Sequence, residues 1–261
     1  MKLTFYKYQG TGNDFIIIDN RDAKNISLTN HQVKQLCDRR FGIGADGLML
    51  MNDKEGFDFD MQYYNADGHT STMCGNGGRC MVKFAYNNGL SKSEYLFNAV
   101  DGPHKAAVEN NGWVDLKMKD VNAVEISMFS DYILDTGSPH YVKPVNNVID
   151  IDVVKLGREI RYNKRFANEG INVNFVEQED EGKIYVRTYE RGVEDETLSC
   201  GTGVTAAALS FAHNDNGFNH VSVKTPGGNL AVDFDKTGET SFENIWLCGP
   251  ATFVFKGEIE I

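Results

Sequence analysis

The stretches "STMCGNGGRC", Ser71 to Cys80, and "LSCGTGVTAAALSFAHNDNG", Leu198 to Gly217, decide the fold. Each places a cysteine directly before Gly-x-Gly and a run that reads as helix. In the first, "GGRCMVKFAYNNGL" carries Met81, Val82, Phe84 and Ala85 around much of its circumference and stops at the Asn87-Asn88-Gly89 turn signal. In the second, Val204, Ala206, Ala207, Ala208, Leu209, Phe211 and Ala212 make a nearly all-apolar helix ended by Asn214 to Gly217. A helix apolar on all sides has to be buried. Downstream the match continues, because "VDGPHKAAVENNGWVDLKM" and "VKTPGGNLAVDFDKTGETSFENIWL" each run from a Pro/Gly turn into strand-like segments.

One long repeat, unlike a short period, predicts two similar domains and not a solenoid. Around the two helices, "LTFYKY", "FIIID", "GLMLMN" and "FDMQYYN" read as strands of the first half, with an amphipathic helix opening at Thr29 and turning Val33, Leu36 and Cys37 inward. The second half repeats the order with strands at "DYILDTG", "HYVKPV", "NVNFVEQ" and "KIYVRTYER" and a helix near Asp152 to Ile160. The expectation is an α+β chain of two pseudo-symmetric domains, each a curved, barrel-like mixed β-sheet wrapped around a central buried helix, with the active site in the cleft between them. The first domain takes residues 1–120 plus 250–261, the terminal "TFVFKGEIEI" returning to its sheet, and the second takes residues 121–249.

Composition excludes several classes of function. The 261 residues are 41% hydrophobic, enough for one large core or two modest ones. With 37 Asp and Glu against 26 Lys and Arg, the net charge is −11, and no basic block offers a footprint for a phosphate backbone, so nucleic acid is not a partner. No run approaches membrane-spanning length and the first ten residues interleave polar with apolar ones, which predicts no membrane association and a cytoplasmic location. Five scattered cysteines, an odd number, are unlike a secreted disulfide framework. Cys74 and Cys80 have five residues between them and no matching His pair, so the spacing does not suit a structural zinc site and no metal is expected.

The placement of Cys74 and Cys200 has a chemical consequence. Amides at a helix start lack partners and the dipole there is positive, which stabilises a thiolate and lowers its pKa. The same amides form an anion site, and the glycines let a ligand approach the backbone. A carboxylate seated there leaves each sulfur facing the attached carbon. Inverting a stereocentre needs a base on one face and an acid on the other, and two thiols supply both without a cofactor. Cys37, Cys80 and Cys248 have no such setting and read as small core residues.

The chain resembles the diaminopimelate epimerases over essentially its full length. The resemblance is carried by "GTGNDF" at Gly10 to Phe15, "GIGADG" at Gly42 to Gly47, "NADG" at Asn65 to Gly68, "MCGNGGRC", "GSPH" at Gly137 to His140, "YERG", "SCGTG" and "GPA" at Gly249 to Ala251, in the family's order. It implies a cofactor-independent isomerase of lysine and peptidoglycan precursor synthesis in which Cys200 takes the proton from LL-diaminopimelate and Cys74 supplies one to form the meso isomer. It implies further that the reacting carboxylate rests near Gly75, Asn76, Gly201 and Thr202, and that Asn13, Asn65, Asn172, Glu190 and Arg191 hold the distal amino-acid group. In the family, the His and Glu at the positions of His140 and Glu190 tune the thiols. Ser138 stands where the family usually has Asn, Gly47 where many members carry Gln, and "RGVEDETLSC" is one residue longer than usual. Members pair through their first domains, and the tyrosine at that contact corresponds here to Phe255, so a homodimer is expected.

Two other readings keep the same cysteines. A proline or hydroxyproline racemase shares the two-thiol logic, but commonly carries His after the first Cys-Gly where this chain has Asn76; pyrrole-2-carboxylate, a planar mimic for those enzymes, discriminates. A thiol-based redox sensor or small-molecule binding protein is the reading from a different class, in which Cys74 and Cys200 close a disulfide.

Overall fold

The computed structural model describes residues 2–22, 25–71 and 73–261; Thr72 of the first cysteine stretch lies outside them. Two compact units emerge, one of Met1–Leu116 with Pro250–Ile261 and one of Lys117–Gly249.

In the first unit, β1 (Lys2–Gly10) turns back through Thr11 and Gly12 into β2 (Asn13–Asp19), and β2 lies parallel to β3 (Gly47–Asn52), which pairs antiparallel with β4 (Phe59–Asn65). β4 meets β5 (Glu94–Ala99) in parallel, and β6 (Gly102–Val108) and β7 (Val114–Lys117) follow as an antiparallel meander. The sheet is therefore mixed. Its β2 residues Phe15, Ile16, Ile17 and Ile18 are all buried, a continuous apolar run that only a strand covered on both faces tolerates. Ile16 and Ile18 join Val33 and Leu36 of α1 (Asn30–Cys37) in one cluster, while Phe15 and Met49 lie against Gly77 of α2 (Gly75–Asn87). α1 begins as its sequence requires: Thr29 caps it and Gln32 reciprocates, a capping box. α2 runs against β1, β2 and β6, and its residues from Gly75 to Cys80 are buried with Met81, Val82, Phe84 and Ala85.

The second unit repeats the plan. β8 (Glu125–Ile126), β9 (Tyr132–Asp135) and β10 (Pro139–Pro144) are antiparallel neighbours, β10 runs parallel to β11 (Asn172–Asp180), and β11 pairs antiparallel with β12 (Lys183–Glu190). β13 (Asp195–Thr197) returns along β12, which also lies parallel to β14 (Gly217–Thr225), followed by β15 (Gly228–Lys236) and β16 (Phe242–Gly249). On β11, Val173 and Phe175 turn to a cluster with Val153 of α3 (Val153–Arg161), and the alternate residues Asn172 and Asn174 face the opposite way. That other face carries α4 (Gly201–Ser210), which packs on β9 to β12 and β14 to β16. β17 (Thr252–Glu260) belongs to the first unit and runs antiparallel to β1.

One element differs from its expected extent. α4 ends at Ser210, so Phe211 and Ala212 are not helical. The Phe211 N–H tightens onto the carbonyls of Ala208 and Leu209, and the buried Asn219 side chain accepts from the N–H groups of His213 and Asn214, giving the backbone a turn in place of another helical bond. No helix among the described residues is long and apolar enough to cross a membrane.

Candidate active site

Cys74 and Cys200 are the N-cap residues of α2 and α4, both extended in backbone, and neither sulfur caps its own helix. Their carbonyls accept the first helical bonds, from Gly78 N–H at 2.7 Å and Val204 N–H at 2.8 Å. Both thiols are half-buried, unlike the buried Cys37, Cys80 and Cys248. Burial pushes the Cys37 and Cys80 thiols up to about 12, so those two stay protonated.

In the first unit Cys74 sits among amides. Its Sγ is 3.6 Å from Asn13 Oδ1, which also receives Asn76 Nδ2 at 3.4 Å, and Asn76 Oδ1 receives Arg79 Nη2 at 3.0 Å. Asn13, Gly75 and Asn76 are thus gathered at the start of α2, where the first-turn N–H groups have no acceptor within the helix. Asn65, at the end of β4, is the register partner of Gly47. A Cβ on Gly47 would lie 2.5 Å from Tyr63 Cε2 and 2.8 Å from the Tyr63 hydroxyl, so the tyrosine ring fills the space a side chain at position 47 would take.

In the second unit, the Cys200 Sγ lies 3.5 Å from Thr202 Oγ1, and the Thr202 carbonyl accepts from Thr136 Oγ1 at 2.8 Å. Ser138, Asn172 and Arg191 form one group. Ser138 Oγ accepts from Asn172 Nδ2 at 2.9 Å and from Arg191 Nη2 at 3.3 Å, while Asn172 Oδ1 accepts the Arg191 N–H at 2.9 Å. The serine is a short acceptor that ties the amide to the guanidinium. Glu190 closes β12, and its carbonyl accepts the Glu194 N–H at 2.8 Å across the turn that follows Arg191. Glu196, farther along, is held by Arg187 through two bonds of 2.7 Å.

His140 is fully buried and is neutral. Burial pushes its pKa down to about 3, with the Arg191 charge adding to the effect and Asp135 opposing it. Its Nδ1 faces Asn174 Nδ2 at 3.1 Å, and that amide is oriented because Asn174 Oδ1 accepts from Thr188 Oγ1 and Nδ2 also donates to the Tyr141 carbonyl. An Nδ1 that accepts leaves the proton on Nε2. That Nε2 is buried without a hydrogen-bond partner among the described residues. Asn174 was not among the site residues read from the sequence; its spacing of two from Asn172 on one strand face was the available signal.

The sign of this shift gives a pH dependence. Between pH 6.5 and about 3 the unfolded chain protonates His140 and the folded chain does not, so acidification favours unfolding. Stability measured by urea titration is expected to fall between pH 7 and pH 5 by about 2 kcal/mol more in the parent than in His140→Gln. Equal losses in the two proteins would contradict the neutral, buried assignment.

Two cavities, one lined by Arg187, Glu196 and Leu198 and one along α3, hold none of the sequence-derived site residues. Among the described residues no group of three or more His, Cys, Asp or Glu is placed to hold a metal ion.

The fold is a two-unit α+β architecture shared with solved proteins of low sequence identity. The chain superposes on the phenazine biosynthesis protein of the PhzF family from Bacillus anthracis with a TM-score of 0.77 at 17% identity, each chain covered in full. A hydroxyproline epimerase from Agrobacterium vitis, solved with bound trans-4-hydroxy-L-proline, gives 0.68 at 11% identity over 99% of this chain and 91% of that one. Within that architecture the sequence is specific: the family profile described as Diaminopimelate epimerase matches residues 5–124 and 132–254. A diaminopimelate epimerase of Flavobacterium psychrophilum is 48% identical over 99% of this chain and 100% of the relative, and one of Chlorobaculum tepidum is 44% identical over 97% and 99%. The chain belongs to the diaminopimelate epimerase family.

Proposed function

We propose that the protein interconverts LL- and meso-diaminopimelate by proton transfer between two thiols, without a cofactor. The observation that carries the reading is the pair of half-buried cysteines, each the N-cap of a buried helix and neither engaged in capping it. The Cys200 thiolate removes the α-proton and becomes a thiol; the Cys74 thiol gives its proton to the opposite face and becomes a thiolate. Proton count is conserved, and reversal exchanges the roles. The helix starts at Gly75 and Asn76 and at Gly201 and Thr202 receive the α-carboxylate, whose charge grows as the carbanion forms. Asn13, Asn65, Ser138, Asn172, Glu190 and Arg191 take the distal amino-acid group, the guanidinium suiting its carboxylate and the Glu and amide oxygens its ammonium. His140 and Glu190 tune the thiols. Residues 1–120 with 250–261 and residues 121–249 act as the two epimerase domains.

The test is a proton NMR time course of the reduced protein with LL-diaminopimelate in deuterated water. Deuterium is expected at the α-carbon as the meso isomer appears; an unchanged substrate contradicts the reading, and turnover of proline isomers in its place would favour the racemase alternative.

The protein acts as a cytoplasmic homodimer. Phe253, Val254 and Phe255 of β17 are each about half exposed, and the Phe255 ring meets Phe5 edge-on at 5.8 Å, which supports an apolar contact through the first unit. Phe255→Glu is expected to convert the dimer to monomer in light scattering at micromolar concentration. A dimer of unchanged stability would move the contact elsewhere.

A further inference from the structure

The amides beside Cys74 are locked in one orientation from both ends. Arg79 Nη2 donates to Asn76 Oδ1, which turns Asn76 Nδ2 toward Asn13 Oδ1; Asn13 Nδ2 in turn donates to Asp46 Oδ2 at 2.7 Å. A guanidinium only donates and a carboxylate only accepts. Neither amide can therefore turn over without setting donor against donor or acceptor against acceptor. The result aims the Asn13 oxygen at Cys74 Sγ, 3.6 Å away. A carbonyl oxygen accepts the S–H of a thiol and repels a thiolate.

Asp46 is itself held from two sides. Arg39 Nη2 donates to its Oδ1 at 2.6 Å, and the Asp14 N–H donates to its Oδ2 at 3.2 Å. Asp14 takes both Arg39 nitrogens, at 3.0 and 2.7 Å, and Lys7 Nζ at 2.7 Å, and the buried lysine also donates to the Gly44 carbonyl. Burial opposes the charge on Asp14, but the bonds from Arg39 and Lys7 keep its carboxyl well below the usual carboxylate range. The charged groups around the thiol and its amide are thus Arg79 on α2, Lys7 on β1, Asp14 on β2, and Arg39 and Asp46 from the segment between α1 and β3, and the one further titratable group, Cys80 on α2, is neutral.

We propose that Asp46, anchored by Arg39, is a positioning residue that keeps the Asn13 amide oxygen on Cys74 and so holds that thiol in its protonated, proton-donating form. Its bearing on catalysis rests on the reading of Cys74 as the acid toward LL-diaminopimelate. Asp46 touches no reacting atom. Its main effect runs through Asn13, and asymmetry between the two thiols before substrate arrives is what it provides.

The measurement is the pH dependence of Cys74 alkylation by iodoacetamide in the reduced, substrate-free protein, read on the Cys74 peptide by mass spectrometry. Asp46→Asn removes the charged acceptor of the Asn13 Nδ2 and leaves only the longer bond of 3.4 Å from Asn76 to hold the amide oxygen on sulfur, and the alkylation midpoint is expected to fall by up to about one pH unit. Removing the Asp46 charge pushes in the same direction through space, so the same substitution is made on Asn13→Ala. There it is expected to shift the midpoint by only a small fraction of that amount. A shift of the same size without Asn13, or none with it, overturns the proposal. If Asp46→Asn does not fold, the ¹⁵N spectrum of the parent decides: the Asn13 side-chain amide, assigned by its loss in Asn13→Ala, is expected to show one proton moved downfield and protected from exchange. Two solvent-like protons would overturn the proposal. No substrate enters either experiment, so failure of epimerisation in deuterated water removes the functional reading while leaving this orientation separately measured.

Discussion

Alanine at Cys74 or at Cys200 is expected to slow epimerisation by about 10³-fold, within the range for losing a positioned general acid or base. Both side chains are half-buried and neither caps its helix, so the substitution deletes one sulfur while the N-cap backbone, extended in both cases, suits alanine. The informative protein is the double variant. If the thiols act as one unit in a single inversion, removing the second costs little once the first is gone, and the double variant is expected to be no slower than the slower single one. Losses that multiply would mean that each thiol contributes independently, which a two-face proton transfer does not allow. The rates are compared by deuterium incorporation, with circular dichroism to show that each variant is folded.

Gly203→Ala is the second large effect, and here the stability changes with the chemistry. A Cβ at position 203 would stand 2.4 Å from Asn174 Oδ1. That oxygen cannot retreat, because the buried amide is fixed by Thr188, by the Tyr141 carbonyl and by His140. Alanine favours a helix by about 1 kcal/mol over glycine, but overpacking costs about 1–3 kcal/mol and a broken buried hydrogen bond about 1–3 kcal/mol more, so a net loss of about 1–5 kcal/mol is expected. Thermal unfolding should shift down by on the order of 5–10 °C. Displacing Asn174 also frees the His140 ring to change tautomer, so activity should fall in the protein that remains folded. Combining Gly203→Ala with Asn174→Ala is expected to recover part of the lost stability, a coupling that distant sites would not show. An unshifted melting point for Gly203→Ala alone would rule out the close approach.

The glycine shows why part of the site was legible along the chain and part was not. Gly203 is visible as the last residue of Cys-Gly-x-Gly, and its neighbours announce a buried helix. What it approaches is an asparagine 29 positions earlier, brought there by the register of β11 beside β10 and β12. The same holds at Gly47, where the space is taken by a ring from the next strand. Asp46 and Asp14 stand inside the motifs "GIGADG" and "GTGNDF", yet nothing local says that one carboxylate orients the Asn13 amide and the other anchors the same arginine. The end of α4 is not legible locally for a related reason: Phe211 and Ala212 continue the apolar pattern, and the Asn219 side chain that turns the backbone lies several residues downstream.

Local sequence was enough for β1 to β4 and β9 to β12, the two buried helices, the cysteines at their starts and the family, because each depends on neighbours within one or two turns and on motifs in order. Tertiary structure alone decided which amide faces which sulfur, the neutral Nε2-protonated state of His140, and the bond from Asn172 to Ser138. Those rest mainly on hydrogen-bond partners 33 to 63 residues apart in the chain. Direction in such a network is set where its ends meet a fixed charge or a backbone carbonyl, and only the folded sheet brings the ends together.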